Sequence, residues 1–143
     1  KKKEEGILPI TDPRMTRFWI TLQHGVDFVL NCLEIMVGGE LFVPKIPSMN
    51  MMDLAKAIAP ECKTEIIGIR PGEKLHEIMV PKDEAQRTIE YEDNYIIKPD
   101  FRFFERRFNS SGGKPVPEGF EYNSEINPWQ LSIDEMKEII KNL

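Results

Sequence analysis

Cysteine is scarce in this 143-residue chain. Cys32 and Cys62 are too few for a disulfide framework, and no Cys-x-x-Cys or paired Cys/His spacing offers a zinc site, so no metal is expected. Histidine is equally scarce, at two residues, and positive charge falls short of negative: 19 Lys plus Arg against 24 Asp plus Glu give a formal net charge of −5. Such a balance lacks the broad positive field of non-specific nucleic-acid binding, and no nucleic-acid partner is expected. No stretch approaches the roughly 18 apolar residues of a membrane span, and the basic start Lys1-Lys2-Lys3 is followed by no apolar run of a signal sequence. A cytoplasmic location is the expectation. Also absent are a Gly-x-Gly-x-x-Gly or Gly-x-x-Gly-x-x-Gly nucleotide loop, a Gly-Lys-Ser/Thr phosphate loop and a Tyr-x-x-x-Lys pair. The chain reads as though it lacked a nucleotide-binding half.

What is present is a set of amphipathic patterns. Leu22, Val26, Val29, Leu30, Leu33 and Val37 recur at three- and four-residue spacing, predicting a helix capped by Thr21 and stopped at Gly38-Gly39. Residues 40–44 read as a strand, and residues 51–59 as a second helix with Asn50 as cap and Asp53 in its first turn. The β-branched run 64–69 reads as a strand leading into a corner. Beyond it, residues 75–80 are expected to be extended, 81–86 a helical turn, and 88–98 one or two strands broken near Asp93-Asn94. Residues 109–119, rich in Gly, Ser and Pro, read as a mobile loop. Ser132-Ile133-Asp134-Glu135 has capping-box spacing ahead of a final helix. Alternation of strand and helix predicts an α/β arrangement of mixed strands. The expected divisions are a disordered or extraneous start at 1–6, a substrate-binding part at 7–100, a variable region with the mobile loop at 101–119, and a closing strand and helix at 120–143.

Two segments are candidates for chemistry. In Arg70-Pro71-Gly72-Glu73, Pro and Gly occupy the second and third corner positions, the demand of a type II turn, which brings Arg70 and Glu73 close together. A guanidinium can grip a diphosphate while the neighbouring carboxylate accepts from ribose hydroxyls. The same pair can equally be the solvated ends of a Pro-Gly corner. Arg17, in Met15-Thr16-Arg17-Phe18-Trp19, stands before the first helix, where it could help to hold an anion or lie at the wet edge of an aromatic strand.

Three runs together carry a resemblance: residues 8–20 (LPITDPRMTRFWI), 38–48 (GGELFVPKIPS) and 67–77 (IGIRPGEKLHE). They resemble the C-terminal portion of inverting UDP-N-acetylglucosamine 4,6-dehydratases of polysaccharide biosynthesis and flagellin glycosylation, in the extended short-chain dehydrogenase/reductase superfamily. The likeness runs from about residue 7 to 93 and resumes loosely at 120–124. It implies a Rossmann-like enzyme whose NADP takes hydride from C4 of the hexose and returns it to C6 after loss of water, with inversion at C5. It also implies a UDP-sugar substrate and homo-oligomeric assembly. By resemblance Arg17 and Arg70 are diphosphate ligands and Glu73 accepts the ribose hydroxyls. The family's cofactor loop, Tyr-x-x-x-Lys and catalytic Asp have no counterpart here, so no catalytic or cofactor-binding residue is assigned and the chain alone is expected to be inactive.

A nucleotide-sugar 4-epimerase of the same superfamily would share the corner, and a non-enzymatic interaction module would bind no UDP. His24 and His76 lack a second ligand at usable spacing and are set aside as bases or metal ligands. The aromatic and cationic run 101–108 is read as packing or subunit contact in preference to a nucleic-acid surface.

Overall fold

A computed structural model describes residues 4–101 and 112–142. The chain divides into two compact units that interleave along the sequence: Lys1–Trp19, Pro47–Glu77 and Ser124–Leu143 form one, Ile20–Ile46 and Ile78–Asn123 the other. Elements are numbered along the chain.

In the first unit, β2 (Thr16–Phe18) pairs antiparallel with β4 (Ser48–Asn50), placing Arg17 opposite Met49. The chain passes directly from β4 into α2 (Met51–Ile58), and the Asn50 side chain accepts the Met52 N–H at 2.7 Å. This is the expected cap: a short acceptor satisfies one of the donors a helix start leaves unpaired. Helix α3 (Ile133–Lys141) opens on the expected capping box, Ser132 and Glu135 each binding the other's backbone N–H. Met49, Leu54, Ala57, Leu131 and Met136 form the core between these elements, with Trp19, Ile133 and Ile139 packed against it. Helices α2 and α3 thus bury Leu54, Ala57 and Met136 in one core. A parallel ribbon of β1 (Ile7–Ile10) and β5 (Lys63–Ile66) completes the unit. Strand β5 stops earlier than its β-branched run suggested. Ile67 still donates to Ile10 O at 2.9 Å, but Gly68 then turns to a φ of 84°, which a ladder cannot continue through.

The second unit is built on a four-stranded antiparallel sheet in the order β3 (Leu41–Pro44), β8 (Asn94–Ile97), β7 (Thr88–Glu90), β9 (Lys114–Pro115). Strands β7 and β8 form a hairpin broken at residues 91–93, as read from the sequence, and β8 buries Tyr95, Ile96 and Ile97. A 3-10 turn, Lys82–Arg87, leads into β7. Part of the expected mobile loop is the edge strand β9. Gly113 beside it is required by close approach, since a Cβ there would run into Ile89 and the Tyr91 ring. Residues 109–111 of that loop, residues 102–108 of the aromatic run and residues 1–3 of the expected disordered start lie outside the described residues. Strand β6 (Ile78–Val80) pairs with β10 (Tyr122–Asn123). The buried Tyr122 hydroxyl accepts from Ile46 N and donates to Ile46 O, both at 2.9 Å, and its ring meets Tyr95 at 5.1 Å. Burial pushes the Tyr95 phenol up to about 12.

Helix α1 (Leu22–Ile35) starts where predicted, with Thr21 accepting the His24 N–H. It ends before the glycine pair because the Glu40 carboxylate takes the N–H groups of Val37 and Gly38, the latter at 2.7 Å, so those groups do not extend the helical ladder. None of its residues is buried, and Leu22 and Leu33 are 85% and 60% exposed. The mixed α/β class expected from the sequence is the class observed.

Candidate functional site

The Arg70-Pro71-Gly72-Glu73 corner is the type II turn its residues demand. Glu73 N donates to Arg70 O at 3.1 Å, and Gly72 sits at a φ of 85°, the left-handed value required at the third position. A second bond closes the corner from the other side: the Glu73 carboxylate accepts the Arg70 N–H through Oε2 at 3.0 Å. The backbone of Arg70 and the side chain of Glu73 are therefore fixed to one another, while the Arg70 residue is exposed and Glu73 half-buried. A guanidinium on a rigid exposed corner can donate to an anionic group, while the second oxygen of the neighbouring carboxylate can accept from hydroxyls.

Arg17 lies in the same unit and faces the residues that follow this corner. Its guanidinium donates to Thr16 O at 2.7 Å, to Leu75 O at 3.1 Å and to Lys74 O at 2.9 Å, and its Nε lies 3.5 Å from Glu77 Oε1. Three of the five N–H groups of the fork thus hold backbone carbonyls, two of them from the segment leaving the corner. The structure brings Arg17 to the stem of the corner and leaves Arg70 at its tip. Nearby in sequence, Arg14 is engaged by Asp12, which takes the Arg14 backbone N–H at 2.8 Å and its guanidinium at 2.8 and 3.0 Å. Those bonds hold the Asp12 carboxyl down at about 2.

The stem carries a further group that sequence reasoning missed. His76, set aside as an isolated histidine, places Nδ1 2.8 Å from Thr16 Oγ1, which is 2.7 Å from Ser124 Oγ. Ser124 Oγ in turn accepts the Glu77 N–H at 2.9 Å. Thr16 and Ser124 are 108 residues apart, and no spacing or periodicity in one sequence signals that they meet.

The cofactor implied by resemblance, NADP, finds no cradle among the described residues. Neither α1 nor α2 is entered through a glycine turn: residues 19–21 precede the first, and Asn50 directly precedes the second. No residue is assigned to it. Among the described residues no cluster of His, Cys, Asp and Glu could hold a metal ion, and no helix is long and apolar enough to cross a membrane.

Residues 1–99 match the polysaccharide biosynthesis protein family. Over 141 residues the chain is 51% identical to a UDP-N-acetylglucosamine 4,6-dehydratase (inverting) of Campylobacter jejuni, a match covering 94% of this chain and 42% of that protein. It is 36% identical over 146 residues to a UDP-glucose 4-epimerase of Rickettsia conorii, covering 99% of this chain and 42% of that one. Among solved structures it is similar to Pen from Bacillus thuringiensis, with a TM-score of 0.80 and 28% identity over 98% of this chain and 42% of that chain. The chain therefore spans 42% of the length of each of these proteins.

Proposed function

The chain belongs to the polysaccharide biosynthesis protein family, and from that premise we propose that it grips the UDP half of a UDP-sugar in a UDP-N-acetylglucosamine 4,6-dehydratase of the inverting type. The observation carrying the proposal is the closed corner, in which Arg70 is presented to solvent while Glu73 is tied to its backbone. Arg70 supplies parallel hydrogen bonds to the diphosphate. Glu73, with Oε2 committed to the Arg70 N–H, offers Oε1 to the ribose hydroxyls. Arg17 adds the second positive charge from the stem. Binding energy spent on the nucleotide orients the sugar for reaction, and these residues have no part in the hydride or elimination steps. NADP as cofactor, a cytoplasmic setting, a homo-oligomeric state and a place in surface-polysaccharide or flagellin-glycan synthesis belong to the same reading.

Titration of the intact protein with UDP by calorimetry tests it. Arg70→Ala is expected to weaken binding about 10- to 100-fold, the scale of charged hydrogen bonds, and added salt is expected to weaken binding further. Unchanged affinity in that variant would remove Arg70 from the site. The similarity to a UDP-glucose 4-epimerase supports a second reading, a nucleotide-sugar 4-epimerase. Product analysis with UDP-N-acetylglucosamine separates them: dehydration gives a 4-keto-6-deoxy product, whereas a C4 epimer formed without loss of water would discard the dehydratase.

A further inference from the structure

The corner at 70–73 is rigid within itself, but a rigid turn on a loose stem would not fix where Arg70 points. Its stem, residues 74–77, pairs with no strand among the described residues, yet polar bonds hold it from several directions. Thr16 N donates to Leu75 O at 3.0 Å, and Arg17 donates to Lys74 O and Leu75 O. On the other side Ser124 exchanges two bonds with Glu77: its N–H donates to Glu77 O at 2.9 Å, and its Oγ accepts the Glu77 N–H. His76 closes the set against Thr16 Oγ1. Ser124 is fully buried and Thr16 is 7% exposed, so a broken bond here would leave a polar group without water.

Ser124 Oγ also donates to Thr16 O at 3.2 Å, so Ser124 meets Thr16 at both its hydroxyl and its carbonyl, and His76 Nε2 lies 3.6 Å from Glu125 Oε2. Linked hydrogen bonds of this kind polarise and strengthen one another. Ser124 itself is anchored, since its carbonyl accepts from Ser48 Oγ at 2.9 Å, next to the helical core.

We infer that Thr16, His76 and Ser124 form a hydroxyl–imidazole clasp that positions the Arg70–Glu73 corner, so that His76 acts as a positioning residue for nucleotide binding. The ligand side of this inference rests on the UDP-binding reading above; the clasp itself does not. The intact protein provides the test, read by hydrogen exchange of the amides of residues 70–77 and by UDP titration. His76→Leu removes the ring nitrogen facing Thr16 Oγ1, and Ser124→Ala removes the acceptor of the Glu77 N–H. Each is expected to speed exchange across 70–77 roughly tenfold or more and to weaken UDP binding about tenfold, the scale of one hydrogen bond. His76→Asn, whose Oδ1 can stand near the position of Nδ1, is expected to restore most of both losses. If His76→Leu fails to fold, Ser124→Ala carries the same two measurements.

Unaltered exchange across 70–77 in the leucine and alanine variants would overturn the clasp, as would failure of asparagine to restore what leucine loses. UDP affinity unchanged in both, while Arg70→Ala weakens it, would overturn the positioning role alone. A parent protein that binds no UDP would sink the functional reading, and exchange would still decide the clasp.

Discussion

Helices α1 and α2 look alike as sequences and differ as structures. Both start on a side-chain cap and carry an apolar stripe, yet the eight residues of α2 bury Leu54, Ala55 and Ala57, whereas the fourteen of α1 bury none. The difference lies in their surroundings. Helix α2 has α3 and β4 to close on within its own unit, and together they make the Met49–Met136 core. In α1, Leu22, Val29, Leu30 and Leu33 are all more than half exposed. Periodicity states which face a helix would bury; a partner must exist for the burial to occur.

The comparison makes unequal demands on matched substitutions. The largest effect is expected in the core. Leu54→Ala or Met136→Ala is expected to cost about 2 to 5 kcal/mol, while Leu30→Ala or Leu33→Ala in α1 stays within about 0.5 kcal/mol, the range of surface changes. Urea denaturation of each pair measures this. Equal losses in the two helices would show that α1 is covered by something in solution.

The caps sharpen the same contrast at smaller scale. Ser132→Ala removes half of a capping box on a packed helix and is expected to lower global stability by about 1 kcal/mol. Thr21→Ala removes a similar bond from a helix without a buried face. Its cost is expected to appear as local fraying, read as faster amide exchange in the first turn of α1, with little change in the denaturation midpoint.

The smallest effect is expected at acid pH, in the unit that holds α2 and α3. Asp12 is depressed by its Arg14 bonds from an ordinary 3.8 to about 2, so its contribution is fully present above 3.8 and is lost as pH falls toward 2. Glu135 is lowered in the same direction by the Ser132 N–H, and its contribution is also lost on acidification. In Asp12→Asn the Asp12 component is missing. The stability difference between parent and variant is therefore expected to narrow between pH 3.8 and 2, measured by denaturation at successive pH values. A gap independent of pH would assign the effect to packing.

Much of the local structure was legible because its causes are local. Asn50, Thr21 and Ser132 cap as their side chains require, and Pro71-Gly72 makes the turn its backbone preferences dictate. The early ends of β5 and α1 were less legible. Gly68 could have remained extended, and the use of Glu40 against Val37 and Gly38 depends on how the chain bends after Ile35. Within the site, Arg70 and Glu73 could be paired from four consecutive residues. That Arg17 spends three donors on carbonyls, two of them more than fifty residues away, could not be read from its neighbours.

The sequence by itself determined the caps, the corner, the apolar stripes and the net negative charge, because each depends on residues a few positions apart or on composition alone. Only the tertiary structure decided that α2 would be covered and α1 bare, that Arg17 would serve the stem of the corner, and that Thr16, His76 and Ser124 would meet. Those outcomes depend on contacts between distant segments, and a hydrogen bond of 2.7 Å between residues 108 positions apart exists only once the chain has folded around it.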